Sequence, residues 1–462
     1  MKRTSPVLSD VNALEHLDHL QQKYVITPID KASNNFAFIC KKFYLKKLLN
    51  EVDFLNGNSP TYTKNASSVE VCIEENVEFC SKLGYKINEN EKCLPIMYWI
   101  PKMQKSPIGS RFIVASKVCS TKQLSASISK VFKLIFNQVR NFFDKSKFYS
   151  SYNRFWVVDN SMPLLSKIEK CNLKRNAKSI ATFDFATLYT KIPHEKLIET
   201  LFSIIDFAFK AGKKKYICTS FQSAFWTKTG SNNFSKKDIK DAVRFLITRC
   251  HFTIGNFVFT QIIGIPMGID PAPFWANPFL SKFESEYVDE LIKADTIKAK
   301  RYHGTYRFID DLCTLKNNHE FANSYQTIYP PELELKVEHQ GFHATFLELE
   351  INIVDGIFVY KLFDKRDAFP FFIVRMPYLE SNIPSFVFYG SFKTEILRIA
   401  KNTLRYDDFL VSVRSFVARM KNQGGLSSRL KRSVSSVFLK HPEIFASFEI
   451  SQNQLLFDIF AT

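Results

Sequence analysis

The sequence predicts an α+β fold. Three observations carry this. Short apolar runs pair locally through turn residues, amphipathic helices of unequal length lie between them, and the two alternate irregularly instead of as regular βαβ units. No internal repeat and no long linker interrupts the 462 residues.

Taken in order, Asn12 to Leu20 reads as a short helix. Tyr24 to Ile29 and Phe36 to Cys40 read as strands around Asp30-Lys31-Ala32-Ser33-Asn34, and Phe43 to Val52 as a helix. The polar stretch Asn56 to Ser68 reads as a loop. Met97 to Ile100 and Phe112 to Ala115 form a strand pair around the loop Pro101 to Ser110, followed by a basic helix, Ile128 to Phe143. Ser179 to Phe185 is a strand and His194 to Phe209 a helix. A lysine-rich link, Lys213 to Lys215, then leads into a polar segment ending near Lys237. Ile239 to Cys250 is helical, and Phe252 to Thr260 alternates as a hairpin around Ile254-Gly255-Asn256. Ala272 to Ile292 is a long helix. Tyr306 to Leu315 is a hairpin with acids at its turn, and Leu347 to Lys361 another that turns at Asp355-Gly356. Beyond Arg375 the chain is helical and basic. Phe409, Leu410, Val413, Phe416, Val417 and Met420 make one apolar helix face, stopped at Gln423-Gly424-Gly425.

Composition narrows the class. Hydrophobic residues at 45% and charged residues at 23% exclude wholesale disorder. The length fits about three domains on the ~150-residue norm, or one large body. Phenylalanine is abundant, at 46, and is read as genome bias and core filling. No apolar run follows Met1 to Asp10, so no signal peptide is expected. The most apolar stretch, Phe257 to Leu280, contains Gln261, Asp270 and four prolines, which does not suit a spanning helix. Nine cysteines without a CxxC pair fit reduced thiols inside a cell.

The net charge of +18 points to a polyanion. It is concentrated in two blocks. Residues 101–147 hold ten bases and one acid, and residues 391–440 eleven bases and three acids. Both interleave aromatics and hydroxyls with the bases, a mixture that suits phosphates and stacked bases, although charge runs are usually solvated faces.

Two motifs place acids in or at the end of apolar strands: Thr182-Phe183-Asp184-Phe185-Ala186-Thr187-Leu188-Tyr189 and Tyr306-Arg307-Phe308-Ile309-Asp310-Asp311-Leu312. Burying carboxylates there costs several kcal/mol unless positive charge compensates. A pair of divalent cations bridged by Asp184 and Asp310, with Asp311 beside them, would do so, and hard Mg²⁺ suits oxygen ligands and bound phosphates. Taken singly, each motif also reads as a plain strand, turn or cap. Between them, Gln261 to Pro273 carries Gly264 and Gly268, which allow close backbone approach to a ligand, and prolines that stiffen the turn. Upstream, Pro101-Lys102-Met103-Gln104-Lys105 and Ser110-Arg111-Phe112-Ile113 set basic side chains on a hairpin, a natural triphosphate clamp.

The order of these motifs, with Phe346-Leu347-Glu348-Leu349 after them, resembles reverse transcriptases, and most of all those of Penelope-like retroelements, whose polymerase is akin to that of telomerase. Asp30-Lys31, Tyr189 to His194, Leu362 to Arg366, and Ser381 to Pro384 with Tyr389-Gly390 add to the likeness, which covers roughly residues 20–440.

The resemblance implies a right-hand polymerase with an antiparallel palm sheet. Residues 1–177 would form an N-terminal segment and fingers, 178–375 the palm with an insertion around 205–250, and 376–462 a helical thumb and tail. It implies an RNA-directed DNA polymerase that uses two Mg²⁺ ions, or Mn²⁺ as a substitute, with an RNA template, a DNA primer and dNTP, and no membrane. The expected location is intracellular, in nucleus and cytoplasm. Asp184, Asp310 and Asp311 would be catalytic metal ligands, with the Phe185 carbonyl on a metal. Lys102, Lys105, Arg111, Tyr189, Gln261, Met267 and Gly268 would bind nucleotide, Tyr189 as the gate against a 2′-hydroxyl. Lys336 is implied as the general acid for pyrophosphate and Phe346 and Leu347 as the primer grip. Arg405, Arg414, Arg419, Lys421 and Arg429 would hold nucleic acid.

The sequence departs from the pattern where Met267 replaces the common Gln, where Ile309 replaces Val, and where Gln261 follows Asp184 at a long interval of 77 positions. Many Penelope-like proteins continue into a GIY-YIG endonuclease, a motif not seen here. Integration is therefore expected to use another nick source, free 3′ ends such as telomeres, or a longer parent protein. An RNA-dependent RNA polymerase and a catalytically silent RNA-binding derivative are the competing readings. Tyr189 opposes the first, and the intact acids give the second no support.

Overall fold

The computed structural model describes residues 11–150, 152–212, 215–229, 233–266, 269–315, 318–364, 369–381 and 383–461. Helix α1 (Val11–Lys23) leads into the hairpin β1 (Tyr24–Ile29) and β2 (Ala32–Cys40). Next come α2 (Lys41–Glu51), β3 (Tyr62–Lys64), α3 (Val69–Lys82), β4 (Ile96–Lys102) and β5 (Gly109–Ala115). The long α4 (Lys122–Ser150) and α5 (Met162–Asn172) precede the central strand β6 (Ile180–Ala186). After a single turn, α6 (Leu188–Lys191), come α7 (His194–Gly212), β7 (Tyr216–Thr219), β8 (Ala224–Thr227), β9 (Phe234–Ser235) and α8 (Lys236–Thr248). The hairpin β10 (His251–Ile254) and β11 (Phe257–Gln261) is followed by α9 (Ala272–Ala294) and α10 (Thr296–Arg301). Strands β12 (Thr305–Phe308) and β13 (Asp311–Leu315), helix α11 (Asn318–Ile328), and strands β14 (Glu334–Gly341), β15 (His343–Phe346), β16 (Leu349–Val354) and β17 (Ile357–Leu362) follow. The chain closes with α12 (Ser385–Lys401), α13 (Tyr406–Asn422), α14 (Ser427–Lys440), α15 (Pro442–Phe445) and α16 (Gln452–Phe460).

A four-stranded sheet in the order β12-β13-β6-β14 lies at the centre, and every pair in it is antiparallel. Alternation along β6 separates two faces. Phe183 and Phe185 point into the main core, where their rings meet Phe321 at 4.8 Å and Tyr329 at 4.9 Å. Helices α4, α7 and α9 close that core with Phe132, Leu201 and Phe279. Asp184 belongs to the opposite face. Farther along that face, Ile180, Cys313 and Leu315 pack against Phe346, Ile351 and Phe358 of the β15-β16-β17 sheet. One sheet face thus carries acids at one end and apolar packing at the other.

A mixed five-stranded sheet, β3-β11-β10-β4-β5, packs α2 through Tyr44. The Tyr44 ring stacks on Trp99 at 4.9 Å, and its hydroxyl donates to the Trp99 carbonyl at 3.1 Å. Helices α12 to α16 have a core of their own, including Phe388, Phe392, Phe409, Phe416, Val434 and Leu455. Abundant phenylalanine therefore serves packing in all three layers.

Two readings need correction. The stretch expected to be loop contains β3, a three-residue strand held by Tyr62 to Lys64 pairing with Phe259 to Gln261. The segment expected to be merely polar forms the small sheet β8-β7-β9. In both cases partners distant in sequence supply the hydrogen bonds that local pattern does not reveal.

Candidate active site

Strand register assembles the site. Asp311, the first residue of β13, lies directly across from Asp184 of β6, and Lys336 of β14 lies across from Asp184 on its other side. Asp310 occupies the preceding turn, where Ile309 takes a left-handed φ of 57°. The Phe185 N–H reaches the Asp310 carbonyl at 3.4 Å, so the turn is tied to the central strand. Burial pushes the Asp184 carboxyl up to about 6, and the Asp310 and Glu338 charges add to this while Lys105 and Lys31 oppose it.

A fully buried arginine supports that turn from below. Arg307 pairs with Glu284 of α9, both with no side-chain exposure. It donates to the Ile309 carbonyl at 2.9 Å, to Asn277 Oδ1 at 2.8 Å and to Ser281 Oγ at 3.2 Å. The Tyr329 hydroxyl donates to Glu284 at 2.9 Å. Sequence reasoning assigned no role to Arg307 or Glu284. The available signal was an arginine inside an apolar strand and a glutamate inside an apolar helix, each needing a partner.

The turn carrying Gly264 docks on the segment after Asp184. Gly264 donates its N–H to the Ile192 carbonyl at 2.7 Å, and its own carbonyl lies 2.7 Å from His194 Nε2. Its φ is +85°, and a Cβ there would meet the Tyr189 carbonyl oxygen at 2.2 Å, so only glycine fits. Tyr189 is thereby seated beside the acids. Burial pushes its hydroxyl up to about 12, with a further push from Asp310. Gln261 departs from expectation. It is 2% exposed, and its side-chain amide donates to the Ile263 carbonyl at 2.9 Å, so it braces the turn instead of facing a nucleotide. Met267 and Gly268 lie outside the described residues.

The β4–β5 hairpin carries the predicted cations Lys102, Lys105 and Arg111. Lys105 is close enough to Asp184 to influence its ionisation. Lys102 is held below the usual lysine range by burial and by Arg111. Arg111 is partly engaged, since it pairs at 2.9 Å with Asp30, whose side chain is 3% exposed.

Phe346 and Leu347 line a cavity of about 220 Å³ together with Asp311, Thr182, Gln104 and Lys31. The tight turn at Leu347-Glu348 is anchored to α12, because Arg398 pairs with Glu348 and also with Glu395. The Lys336 side chain is 63% exposed and lies 3.4 Å from Glu334. Of the C-terminal bases, Arg405, Arg414, Lys421 and Arg429 are exposed on the surface, whereas Arg419 pairs with Asp364 at 3.3 Å. Arg414 also donates to the Asp458 carbonyl at 2.6 Å. In the first basic block Lys122 pairs with Asp270 and Arg140 with Asp159. The count of surplus bases therefore overstates the charge left for a polyanion.

Among the described residues, no three His, Cys, Asp or Glu side chains converge as a ready-made metal cage. The donor set nevertheless suits a hard cation: two acids face each other across one strand pair, a third adjoins them, and burial together with the Asp310 charge disfavours the ionised Asp184. Among the described residues, no helix is long and apolar enough to cross a membrane.

No family model matches this sequence, and no curated protein matches it. Solved structures do match, and the fold they share with this chain is telomerase-like. The telomerase from Candida albicans, in complex with a TWJ fragment of telomeric RNA, is similar with a TM-score of 0.64 at 13% identity, over 96% of this chain and 72% of that one. The apo telomerase from Candida tropicalis gives 0.52 at 11% identity, over 96% of this chain and 69% of that one. Its complex with the same kind of RNA fragment gives 0.53 at 12%, over 96% and 68%. At these identities the likeness is one of fold.

Proposed function

We propose that this chain is an RNA-directed DNA polymerase of the Penelope-like kind, extending a DNA primer on an RNA template with dNTP. The observation that carries the reading is the pairing of Asp184 with Asp311 across an antiparallel sheet, with Asp310 in the adjoining turn, inside a telomerase-like fold. Residues 1–177 would act as N-terminal segment and fingers, 178–375 as palm and 376–462 as thumb. The separate core of the C-terminal helices supports the last boundary. An intracellular location in nucleus and cytoplasm accords with this role.

Asp184, Asp310 and Asp311, with the Phe185 carbonyl, would hold Mg²⁺. When bound, such ions supply activation of the primer 3′-hydroxyl and charge neutralisation of the leaving pyrophosphate. The rest falls to the chain's own groups. Lys102, Lys105 and Arg111 orient the triphosphate. Tyr189, seated by Gly264, fills the space a 2′-hydroxyl would need. Phe346 and Leu347 press on the primer end. Lys336, which is aligned with Asp184 and well exposed, would donate a proton to pyrophosphate.

Extension of a DNA primer on an RNA template, with dNTP and NTP offered separately, tests this reading. Incorporation of dNTP is expected, and use of NTP alone would instead establish an RNA polymerase. Tight binding of primer–template with no extension by either would identify a silent RNA-binding derivative.

A further inference from the structure

Lys31 stands at the tip of the β1–β2 hairpin, in a two-residue turn closed by Ile29 opposite Ala32. Its φ is +63°, a left-handed conformation that costs a non-glycine residue about 1 kcal/mol or more. Three contacts clamp this tip to the β4–β5 hairpin. The Asp30 carboxylate accepts from Arg111 at 2.9 Å and from Gln104 Nε2 at 3.5 Å, and the Asp30 N–H donates to the Pro101 carbonyl at 3.0 Å. Ile29 and Ala32 add an apolar seat against Met103, Phe369 and Ile373. The clamp consumes Asp30 and leaves Lys31 turned toward the acids. Lys31 lines the cavity that also holds Asp311, Thr182 and Gln104, and it borders a second cavity of about 340 Å³ that contains Arg375. Among the described residues Lys31 forms no ion pair.

A lysine held in a strained turn, beside carboxylates and without a partner carboxylate of its own, has a position but no structural task. Lys31, Lys105 and Arg111 all lie near enough to Lys102 for their charges to act on it, so the four bases form one cationic cluster. We infer that Lys31 contacts a phosphate group in the cleft, and that Asp30 is the positioning residue that fixes it there through Arg111. This rests on the polymerase reading for the identity of the ligand. The phosphate belongs either to the incoming nucleoside triphosphate or to the primer backbone beside Phe346 and Leu347.

The test compares wild type with Lys31→Ala and Lys31→Arg. Equilibrium binding of a fluorescent dNTP and of a labelled primer–template is measured first, without turnover, followed by the dNTP KM and the primer–template KM. Loss of one charge-assisted hydrogen bond is expected to weaken one of the two ligands roughly tenfold in Lys31→Ala, with partial recovery in Lys31→Arg. A change confined to dNTP assigns the triphosphate, and a change confined to primer–template assigns the backbone. Unchanged affinity for both ligands, in variants that melt as wild type does, would overturn the inference. So would weakening that only accompanies a lowered melting temperature. Absence of all extension by wild type would refute the polymerase reading, while the binding arm would still decide Lys31.

Discussion

Arg307 donates to the Ile309 carbonyl at 2.9 Å while its guanidinium is paired with Glu284 in full burial. One side chain thereby couples helix α9 to the turn that carries Asp310. Removing one member of such a pair leaves an uncompensated charge. Arg307→Met is expected to lose about 3–5 kcal/mol of stability in urea melts. The double variant Arg307→Met/Glu284→Leu should regain most of that stability yet stay impaired in primer extension, because the Ile309 carbonyl still lacks its donor. Recovery of both together would show that the pair serves packing alone.

Gly264 touches the backbone of Tyr189 and Thr190. Gly264→Ala should destabilise by roughly 1–3 kcal/mol, through the positive φ and the contact at 2.2 Å, and should disturb nucleotide use. Thermal melting and the dNTP KM check both halves.

Much of this was legible in the sequence. The hairpins at Gly255 and at Asp355-Gly356 are local: alternation fixes their faces and the turn fixes their register. The acids were legible because Asp184 interrupts an apolar strand and Asp310 follows the end of one. What pattern could not show was pairing across distance. Tyr62 to Lys64 becomes a strand only because β11 is there, and Gln261 is buried because that same sheet encloses it. Likewise, residue counts treat Arg111, Lys122 and Arg419 as surplus charge, while the fold pairs each with an acid distant in sequence.

Tyr189→Ala should open space for a 2′-hydroxyl. The preference for dNTP over NTP, as the ratio of kcat/KM values, is expected to fall by roughly tenfold or more. An unchanged ratio would remove Tyr189 from selection of the sugar.

The C-terminal bases should divide by pairing. Replacing Arg405, Lys421 and Arg429 with Ala is expected to weaken primer–template binding and to flatten the log–log salt slope by roughly 0.7–0.9 per lost phosphate contact. Arg419→Ala should move the slope less, since Asp364 already holds that guanidinium. Titrations across a salt series distinguish the two sets.

In the proposed function, the acids beside Asp184 perform nucleotidyl transfer and do not merely build a turn. The most direct test is Asp310→Ala against wild type, measuring primer extension on an RNA template with Mg²⁺ alongside primer–template affinity. Synthesis is expected to fall by at least about a thousandfold while affinity and melting temperature stay near wild type. Synthesis retained at wild-type rate by the variant would contradict it.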